Sequence, residues 1–179
     1  MIQKFERLKR TLVRRTSILD YCEDTLRRPD GKIVRYDMML HKGGAAIVPV
    51  MDDGSIIMVH QYRASVERVT TEIPAGSRNG LNETYERAAA RELEEEIGYK
   101  PGKLSHLITI DTAIAYCTEK IEVYVAENLV KTKQHLDEDE FVDVETYSLS
   151  SLLQMIQKGE IRDSKTIASL LAYNAFHKV

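Results

Sequence analysis

Residues 89–102 read AARELEEEIGYKPG, and four of five consecutive positions within this run are glutamate. Side chains suited to a buried helix face recur every fourth residue through the region: Tyr85, Ala89, Leu93 and Ile97. Asn82 can cap the start of such a helix. Gly98 suits the position after its last turn, and Pro101 blocks its continuation. The pattern predicts one amphipathic helix between Asn82 and Ile97.

Three of the glutamates point to the same side of this predicted helix. At about 100° per residue, Glu92, Glu95 and Glu96 share one side, whereas Glu94 points away from them. Like charges four residues apart cost about 0.2–0.5 kcal/mol in water, so a face that only meets solvent would normally alternate its signs. Clustered carboxylates supply the hard oxygen ligands that Mg²⁺ and Mn²⁺ prefer. We therefore favour a metal site over the alternative, a solvated charged face.

Strand-like runs surround the helix on both sides. Two pairs of such runs flank the turn sequences PDG (29–31) and DDG (52–54), which predicts two hairpins. Other elements are expected at approximate positions: strands over 68–73, 104–112, 121–126 and 142–148, and helices over 150–158 and 164–177. This order predicts an α+β sandwich whose sheet is mostly antiparallel or mixed.

Composition excludes several classes of protein. The 179 residues are 43% hydrophobic and 30% charged, which is typical of a single globular domain rather than a disordered chain. No run reaches the roughly 18 apolar residues of a membrane span, and the first residues lack the apolar core of a signal peptide, so we expect a cytoplasmic protein. The net charge of −3 gives no reason to expect nucleic acid as a partner. The basic run RLKRTLVRR (7–15) is interpreted as a solvated edge, with a phosphate-binding arm as the alternative.

The order Gly76, Glu83 and RELEEEIGY (91–99) resembles the Nudix box, the loop–helix signature of hydrolases acting on nucleoside diphosphates linked to another moiety. Four more segments resemble the branch that hydrolyses ADP-ribose and other nucleotide sugars: HQYR (60–63), EIPAG (72–76), DEDEFVDVE (137–145) and GEIRDSKT (159–166). The resemblance implies a Nudix-type α/β/α sandwich with a mixed central sheet and an N-terminal antiparallel β segment.

The resemblance also implies how the chain is organised. We expect one Nudix domain over residues 1–179, with an N-terminal β segment over about 1–43 and a catalytic core over about 44–179. Similar nucleotide-sugar hydrolases pair through their N-terminal β segment, so we expect a homodimer. The alternative is that this segment covers one sheet edge within a monomer.

Metal-binding roles carry over residue by residue from the resemblance. Glu92, Glu95 and Glu96 match the family's metal ligands, and the carbonyl of Ala75 is expected to be a further ligand. Arg91 matches the box arginine, which orients a glutamate through its planar fork of donors. The implied cofactor is Mg²⁺, with Mn²⁺ as an alternative ion.

Substrate-binding and proton-transfer roles are carried over in the same way. Arg63 matches a pyrophosphate-binding arginine, and Glu72 is assigned with it to substrate binding. Either Glu119 or Glu95 is the general base that takes a proton from the attacking water. Glu83 is either an auxiliary site residue or simply a negative charge at the helix start.

Two departures from the family pattern bear on the substrate. Six residues separate Gly76 from Glu83, one more than the pattern has, while the spacing within the helix is intact. The Ser-Pro-Gly segment often seen in ADP-ribose hydrolases is replaced by AIAYCTE (113–119), which keeps the final glutamate.

The resemblance therefore predicts a metal-dependent hydrolase of nucleoside diphosphate sugars, with ADP-ribose cleaved to AMP and ribose 5-phosphate. GDP-mannose or another nucleoside diphosphate derivative is the alternative substrate. A Nudix module that binds nucleotide sugars without turnover is a further alternative, which the intact glutamate set disfavours.

Overall fold

A computed structural model describes residues 3–136 and 140–177 of the chain. The chain divides into two compact units, Met1–Gly43 with Asp111–Lys120, and Gly44–Ile110 with Ile121–Val179. The first contains strands β1 (Glu6–Arg15), β2 (Leu19–Arg27) and β3 (Ile33–His41). The second contains β4 (Gly44–Pro49), β5 (Ile56–Arg63), β6 (Arg68–Glu72), β7 (Ala75–Ser77), α1 (Tyr85–Ile97), β8 (Tyr99–Lys100), β9 (Lys103–Asp111), β10 (Lys120–Glu127), β11 (Val130–Lys131), β12 (Val142–Tyr147), α2 (Leu149–Gln157) and α3 (Ser164–Phe176).

The first unit is built on a three-stranded antiparallel sheet in the order β1-β2-β3. The predicted hairpin around the PDG turn is confirmed, with Arg27 opposite Ile33 at its end. The basic run that was interpreted as a solvated edge is strand β1, an edge strand whose residues are mostly exposed. Arg10 on β1 pairs bidentately with the buried Asp24 on β2 at 2.6 Å, which ties the edge strand to its neighbour.

The second unit contains a mixed sheet in the order β7-β4-β10-β9, in which β4 runs parallel to β10 and antiparallel to β7. A second, antiparallel sheet has the order β12-β5-β6, and β11 pairs with β8. The hairpin predicted around the DDG turn is wrong, because β4 and β5, the strands on either side of this turn, belong to different sheets. Next to the turn, the chain makes an isolated bridge between Val50 and Ile56 and a hydrogen bond from the Met51 amide to the Ser55 carbonyl.

Alternation along β4 separates two hydrophobic cores. Ala45 and Ile47 pack in a core with the apolar stripe of α1, whereas Ala46 and Val48 pack in a core with buried residues of α2 and α3. Successive side chains of a strand point to opposite faces, so α1 lies on one face of this layer and α2 and α3 on the other. The predicted α+β class with a mixed sheet and helices on both faces is confirmed.

Polar caps fix the helix starts. Thr84, rather than the expected Asn82, caps α1 by accepting a hydrogen bond from the Arg87 amide, so Glu83 precedes the helix. Asp163 caps α3 by accepting a hydrogen bond from the Thr166 amide, and Gly98 ends α1 in a left-handed conformation at φ 70°. Within residues 3–136 and 140–177, no helix combines the length and apolarity that crossing a membrane requires.

Candidate active site

Arg91 lies at the centre of the candidate site and binds three glutamates. Its Nε donates to Glu83 Oε1 at 3.0 Å, and its Nη1 donates at 2.7 Å to both Glu92 Oε1 and Glu95 Oε2. Its Nη2 donates to the carbonyl oxygen of Ser77 at 2.9 Å, which ties α1 to the preceding loop. One planar guanidinium with five N–H donors can hold all of these groups at once. The structure thus brings Glu92 and Glu95 together on a single cation.

Glu96 is buried one turn beyond Glu92, with 3% of its surface exposed. Its Oε2 accepts a hydrogen bond from the backbone N–H of Ala75 at 3.1 Å. The resemblance implies the carbonyl of Ala75 as a metal ligand, and the structure places the amide of the same residue against Glu96. Strand β7 therefore borders the same carboxylates as α1.

Gly76 allows the backbone of β7 to approach Glu92 closely. A Cβ atom at position 76 would lie less than 3.0 Å from the carboxyl group of Glu92, a separation that real Cβ atoms essentially never show. Only glycine permits such an approach without moving the carboxylate. Gly76, the glycine of the predicted Nudix box, is thus required because the carboxyl group of Glu92 occupies the space that a side chain at position 76 would need.

Burial controls the charge of two of these carboxylates. It raises the pKa of Glu92 to about 7, although Arg91 opposes the rise. Burial, followed by repulsion from Glu92, raises the pKa of Glu96 to about 8. Glu140 adds to the rise at both residues. At neutral pH these groups become fully ionised only when additional positive charge reaches them.

Arg63 lies at the end of β5 and forms a bidentate pair with Glu72. Its Nε and Nη2 donate to the two carboxylate oxygens at 2.8 and 2.9 Å, and the Glu72 side chain is only 4% exposed. Although burial opposes ionisation, Arg63 and Lys165 lower the pKa of Glu72 to about 2. Glu72 lies three residues before Ala75, whose amide binds Glu96, so Arg63 is held on the segment that leads to the carboxylate cluster.

Glu119 belongs to the first unit, in the segment that precedes β10. Its Oε2 accepts a hydrogen bond from Thr112 Oγ1 at 2.8 Å, and its Oε1 lies 3.5 Å from His41 Nδ1. The adjacent Cys117 backbone pairs with Met39 on β3. These contacts hold the glutamate within its own unit, and its assignment as a base remains a prediction.

Comparison with known proteins identifies the family of the chain. A family model described as the NUDIX domain matches residues 40–170. The chain belongs to the Nudix family. It is 38% identical over 151 residues to an ADP-ribose pyrophosphatase of Bacillus subtilis (strain 168), a match that covers 83% of this chain and 81% of that protein.

Two further Nudix comparisons extend over nearly the whole chain. An ADP-ribose pyrophosphatase of Mycobacterium tuberculosis (strain ATCC 25618 / H37Rv) is 33% identical over 173 residues, covering 96% of this chain and 84% of that protein. The crystal structure of an ADP compounds hydrolase superposes with a TM-score of 0.87 at 22% identity, over 99% of this chain and 96% of that one. The second comparison shows that the fold is shared.

Nudix hydrolases generally use divalent metal ions, and the donor set of this site suits such an ion. Glu92, Glu95 and Glu96 offer hard oxygen ligands, and Mg²⁺ is usually bound by one or two carboxylates together with substrate phosphates and water. Among the described residues, no group of three or more histidine, cysteine, aspartate or glutamate side chains is arranged so that it could hold a metal ion. Arg91 binds Oε1 of Glu92 and Oε2 of Glu95, and each carboxylate has a second oxygen to offer a cation.

Sequence reasoning missed two charged residues of this region. Lys165 contacts the buried Glu72, and Glu140 raises the pKa of both Glu92 and Glu96. Both residues lie in segments whose sequences resemble the nucleotide-sugar branch of the family, so the resemblance was the signal that could have identified them. The sequence HLDEDEF (135–141) predicts a solvated acidic loop, with a mobile substrate lid as the alternative, and its residues 137–139 lie outside the described residues.

Proposed function

We propose that this Nudix enzyme hydrolyses the pyrophosphate bond of nucleoside diphosphate sugars, with ADP-ribose as the first candidate and AMP and ribose 5-phosphate as products. The observation that carries the proposal is the cluster of Glu92, Glu95 and Glu96 around Arg91, with Arg63 at its border. The names of the two relatives at 38% and 33% identity support the choice of ADP-ribose.

Charge balance explains why the site needs a divalent cation, for which we propose Mg²⁺ with Mn²⁺ as an alternative. A pyrophosphate bridge carries about two negative charges, so a pocket of ionised carboxylates alone would repel it. When bound, the cation neutralises this repulsion, offsets charge on the leaving phosphate and lowers the pKa of a nearby water. Glu92, Glu95 and Glu96 are the proposed ligands, together with the Ala75 carbonyl.

The protein's own residues supply orientation and proton transfer. Arg91 holds Glu92 and Glu95 in fixed positions, so these ligands lose little freedom when the cation binds. Two N–H groups of Arg63 are bound to Glu72, and its remaining N–H groups donate to an oxygen of the pyrophosphate. Glu119 or Glu95 accepts the proton of the attacking water.

Location and assembly form part of the same proposal. We propose a cytoplasmic enzyme that acts as a homodimer through the three-stranded sheet of the first unit. Several large apolar residues of this unit are 40–64% exposed, namely Phe5, Leu8, Leu12, Val13, Ile18, Ile33 and Tyr36. This exposed apolar surface supports an interface that covers it in the assembled protein.

A substrate panel tests the proposed activity. The purified protein is incubated with Mg²⁺ and equal concentrations of ADP-ribose, GDP-mannose and other nucleoside diphosphate sugars, and mononucleotide and sugar phosphate are separated by chromatography. The proposal predicts the highest kcat/KM for ADP-ribose. A preference for GDP-mannose would move the enzyme to the alternative substrate, and binding without any product would indicate a module without turnover.

A further inference from the structure

Lys165 connects the start of α3 to the end of β6, which lies 93 residues earlier in the chain. Its Nζ donates to Glu72 Oε2 and, at 2.8 Å, to Asp163 Oδ2. The side chains of Lys165 and Glu72 are 13% and 4% exposed. A pair so shielded from water is far less screened than a surface ion pair, and removing one partner leaves the other charge uncompensated.

A second link holds the same two elements together without the lysine. The buried Thr166 accepts a hydrogen bond from the backbone N–H of Ile73 at 3.1 Å, and its hydroxyl donates to Asp163 Oδ2 at 2.6 Å. Ile73 directly follows Glu72 in the chain, so α3 remains attached to the strand end when the ammonium is removed. The specific contribution of Lys165 is therefore a positive charge on the carboxylate of Glu72.

Glu72 in turn fixes the orientation of Arg63. The carboxylate accepts from Arg63 Nε and Nη2, and Thr70 Oγ1 donates to its Oε1 at 2.7 Å. This fork occupies two of the five N–H groups of the guanidinium, so the others are directed away from Glu72. The Arg63 side chain is 38% exposed. Its partner Glu72 lies three residues before Ala75, whose amide binds Glu96 of the proposed metal site.

The four ionised groups together carry no net charge, because Arg63 and Lys165 balance Glu72 and Asp163. The ammonium therefore acts by holding the Glu72 carboxylate in place, and it adds no net charge toward an anion. We propose that Lys165 is a positioning residue for pyrophosphate binding, which keeps Glu72 bound as a fixed support for Arg63. This inference rests on the proposed function.

Substitution of the lysine tests this role. Lys165→Met keeps most of the side-chain volume and removes the charge, Lys165→Arg keeps the charge, and Lys158→Met at the exposed end of α2 serves as a matched control. At saturating Mg²⁺ we expect Lys165→Met to raise the KM for ADP-ribose about 10–100-fold, with kcat and Mg²⁺ affinity changed by less than about threefold. Lys165→Arg should recover most of the loss, and Lys158→Met should match the wild type.

A double-mutant cycle with Arg63→Met separates positioning from a general loss of structure. In the Arg63→Met background, Lys165→Met should raise KM by less than about twofold, because the residue acts through Arg63. Equal effects in both backgrounds, or an unchanged KM in the single variant, would overturn the inference. If Lys165→Met does not fold, Lys165→Gln carries the same comparison.

Binding of inorganic pyrophosphate in the presence of Mg²⁺, measured by calorimetry on the same variants, separates this inference from the proposed activity. Weaker binding in Lys165→Met that depends on Arg63 would support the positioning role even in a protein that hydrolyses no nucleotide sugar. Unchanged pyrophosphate binding in a protein that does hydrolyse ADP-ribose would refute the positioning role alone.

Discussion

Replacing Gly76 by alanine should separate metal binding from folding. The added Cβ would lie less than 3.0 Å from the carboxyl group of Glu92, so one of the two must move. The carboxylate is the far end of a flexible side chain, whereas Gly76 belongs to β7 and its neighbour Ala75 is hydrogen bonded to Glu96. We therefore expect Glu92 to turn away and the backbone to stay.

The cost to stability should be modest. Displaced from Arg91, Glu92 loses a charge-assisted hydrogen bond worth about 1.5–3 kcal/mol, part of which water restores, and an unfavourable rotamer costs about 0.5–1.5 kcal/mol. A net loss of about 1–3 kcal/mol corresponds to a Tm lower by roughly 2–10 °C for a chain of this size. The affinity for Mg²⁺ should fall by at least about tenfold, because one proposed ligand leaves the site.

Thermal denaturation without metal and calorimetric titration with Mg²⁺ measure the two effects separately. The matched comparison is Gly76→Ala in a Glu92→Ala background, where the obstructing carboxylate is absent and the glycine substitution should be nearly neutral. Wild-type Mg²⁺ affinity in Gly76→Ala would refute this reasoning. An equal loss of stability in both backgrounds would show that the glycine serves the backbone instead.

Three further predictions address the base, the pH dependence and the assembly. If Glu119 is the base, Glu119→Gln should lower kcat about 10²–10⁴-fold while metal and substrate affinity stay nearly unchanged. A retained kcat above about a tenth of wild type in steady-state kinetics would move the base to Glu95. Burial raises the folded-state pKa of Glu96 to about 8, against 4.5 for the free group. The protonated side chain therefore contributes fully to the free energy of unfolding below pH 4.5, and this contribution is lost as the pH rises through 8. The metal-free Tm should therefore fall across this window, and Mg²⁺ should raise Tm more at pH 8 than at pH 6; a metal-induced shift independent of pH would contradict the role of Glu96. Light scattering at micromolar concentration should give the mass of a dimer, and a monomer there would exclude the assembly proposed for the first unit.

Local patterns in the sequence predicted the helix of the site and much of the fold. The buried face of α1 was predictable because Ala89, Leu93 and Ile97 recur with the helix period, and all three are buried in the structure. The very short strands β7, β8 and β11 contain two or three residues each, too few to display any period. Strand β1, the longest with ten residues, was also missed, because its basic run was interpreted as a solvated edge or a phosphate-binding arm.

Non-local pairing accounts for the remaining errors. The DDG turn is a local signal for a hairpin, but β4 is buried on both faces and pairs instead with β10, where Ala45 lies opposite Glu122. Within the site, the helix angle alone grouped Glu92, Glu95 and Glu96. The contact of Lys165 with Glu72 spans 93 residues, and no local pattern reports such a pair.

The dependence of ADP-ribose hydrolysis on a divalent cation tests the central claim most directly. The purified protein is first stripped with excess chelator, and AMP and ribose 5-phosphate are then measured before and after Mg²⁺ is added back. Essentially no product should form with chelator, and both products should appear in equal amounts once Mg²⁺ is restored. Undiminished turnover in the presence of chelator would contradict the metal site, and an absence of both products after Mg²⁺ addition would contradict the proposed activity.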